Sequence, residues 1–259
     1  MNQYQEEWAL LTIAADQLDD LEAVRKATQN RLRSLVQPVE IQGVVIDKGG
    51  PDTKQAKAVE IQLGAIQEAE AAAIKELKRA MKQHPLYDFV ASVKGIGEKT
   101  VARLLGTIGD PAVRIDPETG LPVIRTLSQL RSYCGYGDAE QQKRRKGVQS
   151  NWNNRARTVL HVIADAAIKT RCDACRSVEQ PEDEEGWAPP PAECTCAEEG
   201  RIYRAIYDEA RAQDDLLGLG ESDGHRHMRA LRKVKKAFLK DLWLEAREIH
   251  DIYTEPIAA

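Results

Sequence analysis

Apolar positions recur at three-and-four spacing from residue 4 to residue 36. Trp8, Leu11, Leu18, Leu21, Leu32 and Leu35 fall near one face, and Asp, Glu, Arg and Lys cover the other. That period predicts one amphipathic helix, ended by Pro38. Val39, Ile41, Val44 and Val45 follow as a short strand or hairpin, closed by the turn Gly49-Gly50-Pro51-Asp52. A second stripe, Val59, Leu63, Ile66, Ala69, Ala73, Leu77 and Ala80, predicts a helix from about Asp52 to Gln83 with Asp52 as its N-cap. Two long helices joined by a modest loop are expected to pack antiparallel. Residues 1–83 therefore read as a helical hairpin or coiled coil. It is either packed on its own chain or an arm for dimerisation and partner docking, with Leu63 and Ile66 as the docking candidates.

Pro85 opens a further unit that runs to about Arg171. An acidic, proline-rich and cysteine-bearing segment interrupts the helical pattern, which returns at Ile202–Arg211. The Gly-rich loop LGLGESDG then leads into a final helix from His225 to Ile252, with Leu231, Val234, Phe238, Leu242 and Ile249 on its apolar face. The expected class is all-α. The expected units are the hairpin (1–83), a helical domain (84–171 and 200–259) and an acidic cysteine-rich insert (172–199).

The strongest local motif is Phe89-Val-Ala-Ser-Val-Lys-Gly-Ile-Gly-Glu-Lys-Thr-Val-Ala-Arg-Leu-Leu. An apolar helix end meets Gly95-Ile96-Gly97, and a second helix carries Val101, Leu104 and Leu105 inward. This is the pattern of a helix-hairpin-helix. Two glycines permit a tight turn with positive φ, and N–H groups at the start of the second helix can hold a phosphate. Lys94 and Lys99 flank the turn as phosphate partners that position DNA without reading its sequence. Glu98 is a repulsive neighbour for a phosphate, and a connection used only for packing is the plainer alternative.

Composition alters this picture in two places. The formal net charge is −4, so bulk charge does not announce a nucleic-acid binder, yet the charges are segregated. Residues 143–157 carry Lys143, Arg144, Arg145, Lys146, Arg155 and Arg157 with no acid among them, and residues 226–240 carry seven more cations. Such segregation is an electrostatic footprint. Arg clamps phosphate, Trp152 offers a stacking surface, and Asn151 or Asn153 can cap the helix that follows. Trp152 packed inward beside a solvated loop is the plainer alternative.

The second place is the insert. Cys172-Asp-Ala-Cys175 and Cys194-Thr-Cys196 form C-x₂-C and C-x-C pairs whose four thiolates can close a tetrahedral structural zinc site. Loss of that metal is expected to loosen the insert alone. Cys134 reads as core, and His225 and His227 as surface residues. No run of apolar residues is long enough for a membrane span, and the acidic N-terminus does not suit a signal peptide, so the expected location is the cytoplasm of a bacterial host cell.

Several blocks in order carry a family resemblance: Ser92 through Gly109-Asp110-Pro111, Leu127-Ser-Gln-Leu-Arg-Ser-Tyr-Cys-Gly, Lys143-Arg-Arg-Lys-Gly-Val and Asn153-Asn-Arg-Ala-Arg-Thr-Val-Leu. Together they resemble the C-terminal transposase domain of the insertion-sequence-110/116/902 transposase family. Thr28-Gln-Asn-Arg-Leu-Arg-Ser-Leu is similar to that family's coiled-coil region, so the resemblance covers roughly residues 15–171. It implies a transposase-like scaffold and DNA recombination.

The departures qualify what it implies about chemistry. The resemblance does not extend to the family's ribonuclease-H-like domain, and no such domain is expected among these residues. The family's serine nucleophile, counted back from Lys143 and Gly147, falls among Ala139, Glu140, Gln141 and Gln142, none of which is serine; Ser150 lies on the other side of the basic cluster.

The expected function is a non-catalytic recombination accessory protein of a phage or mobile element, such as a recombination directionality factor. It would bind DNA, a recombinase such as a serine integrase, or both, with dimerisation through the coiled coil. A shortened transposase or nuclease, and an RNA-binding module, are the alternatives.

Overall fold

A computed structural model describes residues 3–41, 44–46, 50–138, 146–177, 187–217 and 222–251. Among them the chain is mostly helical, with two small antiparallel hairpins. No helix among the described residues is long and apolar enough to cross a membrane.

Helix α1 spans Gln3–Val36 and α2 spans Lys54–Gln83. Between them β1 (Val39–Ile41) pairs with β2 (Val44–Ile46), Val39 facing Ile46. The N-cap of α2 is Thr53, not Asp52: the extended Thr53 backbone lets its hydroxyl accept from the Ala56 N–H. Asp52 lies one position too early for that bond and pairs with Lys57 at 3.1 Å. Trp8 meets His84 edge-on and Arg25 pairs with Glu70, so α1 and α2 run antiparallel.

Burial along this pair is uneven. Leu11, Ala15 and Leu18 of α1 and Leu77 and Met81 of α2 are fully buried. Leu32, Leu63 and Ile66, farther along, are half-buried. The difference comes from a third layer. Helix α3 (Tyr87–Ser92) leads to α4 (Glu98–Ile108), which lies directly under α1. A Cβ on Gly106 would meet the Ala15 Cβ at 2.7 Å and the Leu11 carbonyl at 2.8 Å. A larger residue there would push the helices apart, and with them the Leu11, Leu104 and Leu105 side chains.

After α4 comes a hairpin that the hydrophobic pattern does not announce: β3 (Val113–Ile115) against β4 (Pro122–Ile124). Its turn is built by the Asp116 carboxylate, which accepts from the Glu118 and Thr119 N–H groups, and by Gly120 at φ +67. Helix α5 (Leu127–Tyr133) starts with a full capping box, Thr126 and Gln129.

Helix α6 (Asn154–Lys169) is capped by Asn153, whose side chain accepts from the Ala156 N–H. The short α7 (Asp173–Ser177) follows, and then α8 (Ile202–Leu216) and α9 (Asp223–Ile249). One apolar core runs from α1 and α2 through α4 and α6 to Leu231, Phe238 and Leu242 of α9. Beside it sits a buried polar network. Arg204 clasps Asp208 through two nitrogens and donates to the Ile168 carbonyl, and Trp187 donates its indole N–H to Asp208. A buried ion pair holds only when its remaining donors are satisfied. Here the fixed end of α6 and the returning insert supply the partners.

Candidate metal centre and nucleic-acid interface

Cys172 lies just past the end of α6, Cys175 sits in α7, and Cys194 and Cys196 come from the turn before α8. Their ligand atoms all lie within 4.8 Å of one another. Cys175 Sγ is 3.3 Å from Cys194 Sγ, Cys172 Sγ is 4.0 Å from Cys194 Sγ, and Cys196 Sγ is 3.9 Å from Cys175 Sγ. Zinc–sulfur bonds of about 2.3 Å at tetrahedral angles require sulfurs about 3.8 Å apart, so the four thiols already have the spacing of a closed metal site. None of the four is in a disulfide. Burial works against ionising Cys172, but N–H groups of Cys175 and Thr195 donate to its sulfur and bring the thiol down to about 6. Cys134 is different: burial in the apolar core pushes its thiol up to about 12, which leaves it inert.

The cysteine unit touches the Gly95-Ile96-Gly97 turn between α3 and α4. Gly95 has φ +94, and a Cβ there would meet Thr170 Oγ1 at 2.8 Å and the Ala167 Cα at 3.2 Å. Glycine is required twice, by the backbone angle and by the end of α6. The Lys94 N–H donates to the Gly200 carbonyl at 3.1 Å. Gly97, the exposed N-cap residue of α4, and the exposed Lys94 side chain face outward. Lys99 turns away to Glu22 of α1, 3.4 Å distant, and Glu98 accepts from the Tyr87 hydroxyl at 3.3 Å.

Of the basic segment, Lys143, Arg144 and Arg145 lie outside the described residues, as do Ala139, Glu140, Gln141 and Gln142. Lys146 is exposed. Arg155 is held by Asp16 and Asp19 of α1. Trp152 is only 7% exposed and donates its indole N–H to Asn154. The Ser150 hydroxyl is bonded to the Trp152 carbonyl and accepts from the Asn154 amide.

Arg157 takes a different course. Its guanidinium lies over the rings of Trp152, at 4.9 Å, and Tyr136, at 5.7 Å. There it borders a recess of about 540 Å³ between α6 and α9, lined also by His161, Arg232 and Lys235. Lys235 is 4% exposed; its ammonium donates to His161 Nδ1 at 3.0 Å and lies 5.5 Å from the Tyr136 ring centre. Burial first, then Arg157, lower it to about 8, against the pull of Asp165. Among the described residues Arg157, Arg232 and Lys235 form no ion pair with a carboxylate. Tyr136 separates this recess from a second, of about 550 Å³, between α5 and α9, where Arg131, Lys236 and Arg247 project beside Trp243 and Asp138.

The sequence therefore marked Trp152 and Arg157 but missed Arg131, His161, Arg232, Lys235 and Lys236. For Arg232, Lys235 and Lys236 the only signal was the density of cations along the last helix; Arg131 and His161 had none. Comparison with protein-family models, characterised proteins and solved structures finds no match to this chain.

Proposed function

We propose that the protein is a non-catalytic nucleic-acid-binding accessory factor of DNA recombination, of the kind that redirects a phage or mobile-element recombinase. The observation that carries the nucleic-acid half is the convergence of Arg131, Arg157, Arg232, Lys235 and Lys236 from three helices onto one concave face. Cations gathered this way without carboxylate partners attract a polyanion despite an acidic net charge. The Gly95-Ile96-Gly97 turn serves as a helix-hairpin-helix whose exposed Lys94 and Gly97 add a backbone phosphate contact. Zinc on Cys172, Cys175, Cys194 and Cys196 holds that turn in place. The distal half of the α1–α2 pair, with Leu63 and Ile66, docks the recombinase or a second copy. The recombination half of the reading rests on the resemblance to the insertion-sequence-110/116/902 transposase scaffold without its serine, and it implies action in the cytoplasm of a bacterial host.

The test is a reconstituted reaction with a serine integrase and attachment-site DNA, together with direct binding to duplex and single strands. Binding that weakens steeply with salt, and a changed ratio of integration to excision products, are expected. Unaltered product ratios across integrases would remove the recombination half. Supercoiled plasmid nicked in magnesium, with the activity lost in Ser150→Ala, would make the protein an enzyme and overturn the non-catalytic reading.

A further inference from the structure

We infer that the recess between α6 and α9 is a socket for a terminal phosphate monoester carried by a nucleotide, at the end of a nucleic-acid strand. The inference deepens the nucleic-acid reading above and rests on it for the source of the ligand.

The recess holds a buried cation, Lys235. Lysine is almost never fully buried unless paired, and taking an ammonium out of water without a counter-charge is strongly unfavourable. Lys235 is buried, and its ammonium hydrogen-bonds a neutral acceptor, His161 Nδ1. The Tyr136 ring face offsets part of the loss. Arg157 and Arg232 add like charge around the same space. The nearest acid, Asp165, acts on the ammonium only through space and is paired with Lys169 at 2.6 Å, so the three cations outweigh it and the site is built for an anion from outside.

An internal phosphodiester carries one negative charge, whereas a phosphate monoester carries about 1.5 to 2 at neutral pH and offers three acceptor oxygens. The recess has donors for all three. Two guanidiniums come from different helices, Arg157 from α6 and Arg232 from α9, and the Lys235 ammonium lines the same recess. Because His161 Nδ1 accepts from the lysine, the ring proton sits on Nε2, which becomes a further donor.

At about 540 Å³ the recess falls in the range of small-molecule sites. Tyr136, Trp152 and the Met228 side chain give its walls apolar surface for a sugar. Reaching a buried ammonium with an internal phosphate means bringing two continuing strands into one recess, but a strand end brings only one. The neighbouring recess with Arg131 and Lys236 then offers a path for the next phosphates.

The experiment is fluorescence anisotropy on the full zinc-loaded chain. The probes are single-stranded oligonucleotides of one sequence ending in 5′-phosphate, 5′-hydroxyl or 3′-phosphate, with a circular strand as competitor. We expect at least one phosphorylated end to bind ten-fold or more tightly than the hydroxyl end, and the circle to compete poorly. Lys235→Met and Arg232→Gln should each erase the difference between ends while leaving residual salt-dependent binding. Arg232 is half-exposed, so its variant keeps the test sharp if the lysine variant folds poorly.

Adenosine monophosphate is the second arm. If it competes as well as the phosphorylated oligonucleotide, and lengthening the strand adds nothing, the ligand is a free nucleotide and the strand-end assignment falls. If all three oligonucleotides bind equally, the socket is overturned and the interface reading survives. If no oligonucleotide binds but the mononucleotide does, the phosphate socket stands and the nucleic-acid function falls.

Discussion

The backbone N–H of Lys94 donates to the carbonyl of Gly200 at 3.1 Å, and this bond joins the α3–α4 turn to the last residues of the cysteine unit. Gly200 takes φ +80 and returns the chain to Arg201, whose N–H donates to the Cys196 carbonyl. The order of the cysteine ligands is therefore transmitted to the Gly95-Ile96-Gly97 turn through a few covalent and hydrogen-bonded links. Read from sequence, loss of metal should loosen the insert alone; the geometry extends the effect to the turn.

One zinc per chain is expected in protein purified without added metal, falling in Cys172→Ser and Cys194→Ser. Removing it with a chelator should raise amide hydrogen exchange across residues 172–200 and also at 93–98, while the α4–α6 core stays protected. Exchange at the turn that does not respond to chelation would sever the link argued from Lys94 and Gly200.

What the sequence disclosed and what it hid divide along one physical line. Long periodic segments reveal their own faces, so α1, α2, α4, α6 and α9 were legible, as was the cysteine spacing that needs no partner to be recognised. Pairings between distant segments were not. Lys99 and Arg155 look like phosphate ligands beside their neighbours, yet α1 supplies their acids; Asp16 lies 139 residues from Arg155 in the chain. Lys235 looks like one of seven cations on a solvated helix until α6 and Tyr136 cover it. The β3–β4 hairpin was missed because Ile115, Leu121 and Ile124 are exposed and leave no buried alternation to read. Its signal lay in the Asp116 and Gly120 turn chemistry instead.

Lys235 should destabilise the unliganded protein. Burial lowers it from the usual lysine range to about 8, so the unfolded chain holds the proton more tightly than the folded one. Stability then rises as pH increases from about 8 to the ordinary lysine range. Lys235→Met removes the buried charge and keeps most of the volume. It should stabilise the protein by about 1–3 kcal/mol at pH 7, a gain that shrinks above pH 8. A saturating phosphorylated oligonucleotide should reverse the order of the two melting temperatures, because the wild type binds the phosphorylated end more tightly and gains more from it. A lower melting temperature for the ligand-free variant at pH 7 would refute the claim that the lysine is unpaired.

His84 sets an acid limit on the α1–α2 pair. It is buried against Trp8, and its Nδ1 accepts from the Leu86 N–H. Burial, only partly offset by Asp110, lowers it to about 4. The unfolded histidine takes up its proton first as pH falls, so stability is lost from about pH 6.5 down to about 4. The loss amounts to about 2–3 kcal/mol at pH 4.5. His84→Gln can still accept from Leu86 but does not titrate. In urea denaturation at pH 7 and pH 4.5, the wild type should lose that much more stability than the variant. Equal losses in both would place the acid sensitivity elsewhere.

The salt dependence of binding discriminates between cations that the sequence treats alike. Each phosphate neutralised by a free cation adds about 0.7 to the slope of log affinity against log salt on single strands, through released counterions. Arg155 is already neutralised by Asp16 and Asp19, and Lys99 by Glu22. Replacing them with glutamine should leave the slope unchanged, even where the lost contacts to α1 lower the melting temperature. Arg232 and Lys236 face the two recesses with no carboxylate pair among the described residues. The double variant Arg232→Gln, Lys236→Gln should flatten the slope by about 1.4, two contacts' worth. The comparison is made well below each variant's melting temperature, on one unstructured oligonucleotide, across at least a four-fold range of salt. A slope that falls for Arg155→Gln but holds for the double variant would move the interface to the α1 side of the molecule. In that case the acids of α1 would be a mask displaced by nucleic acid, and the cations on α9 would be fold chemistry alone.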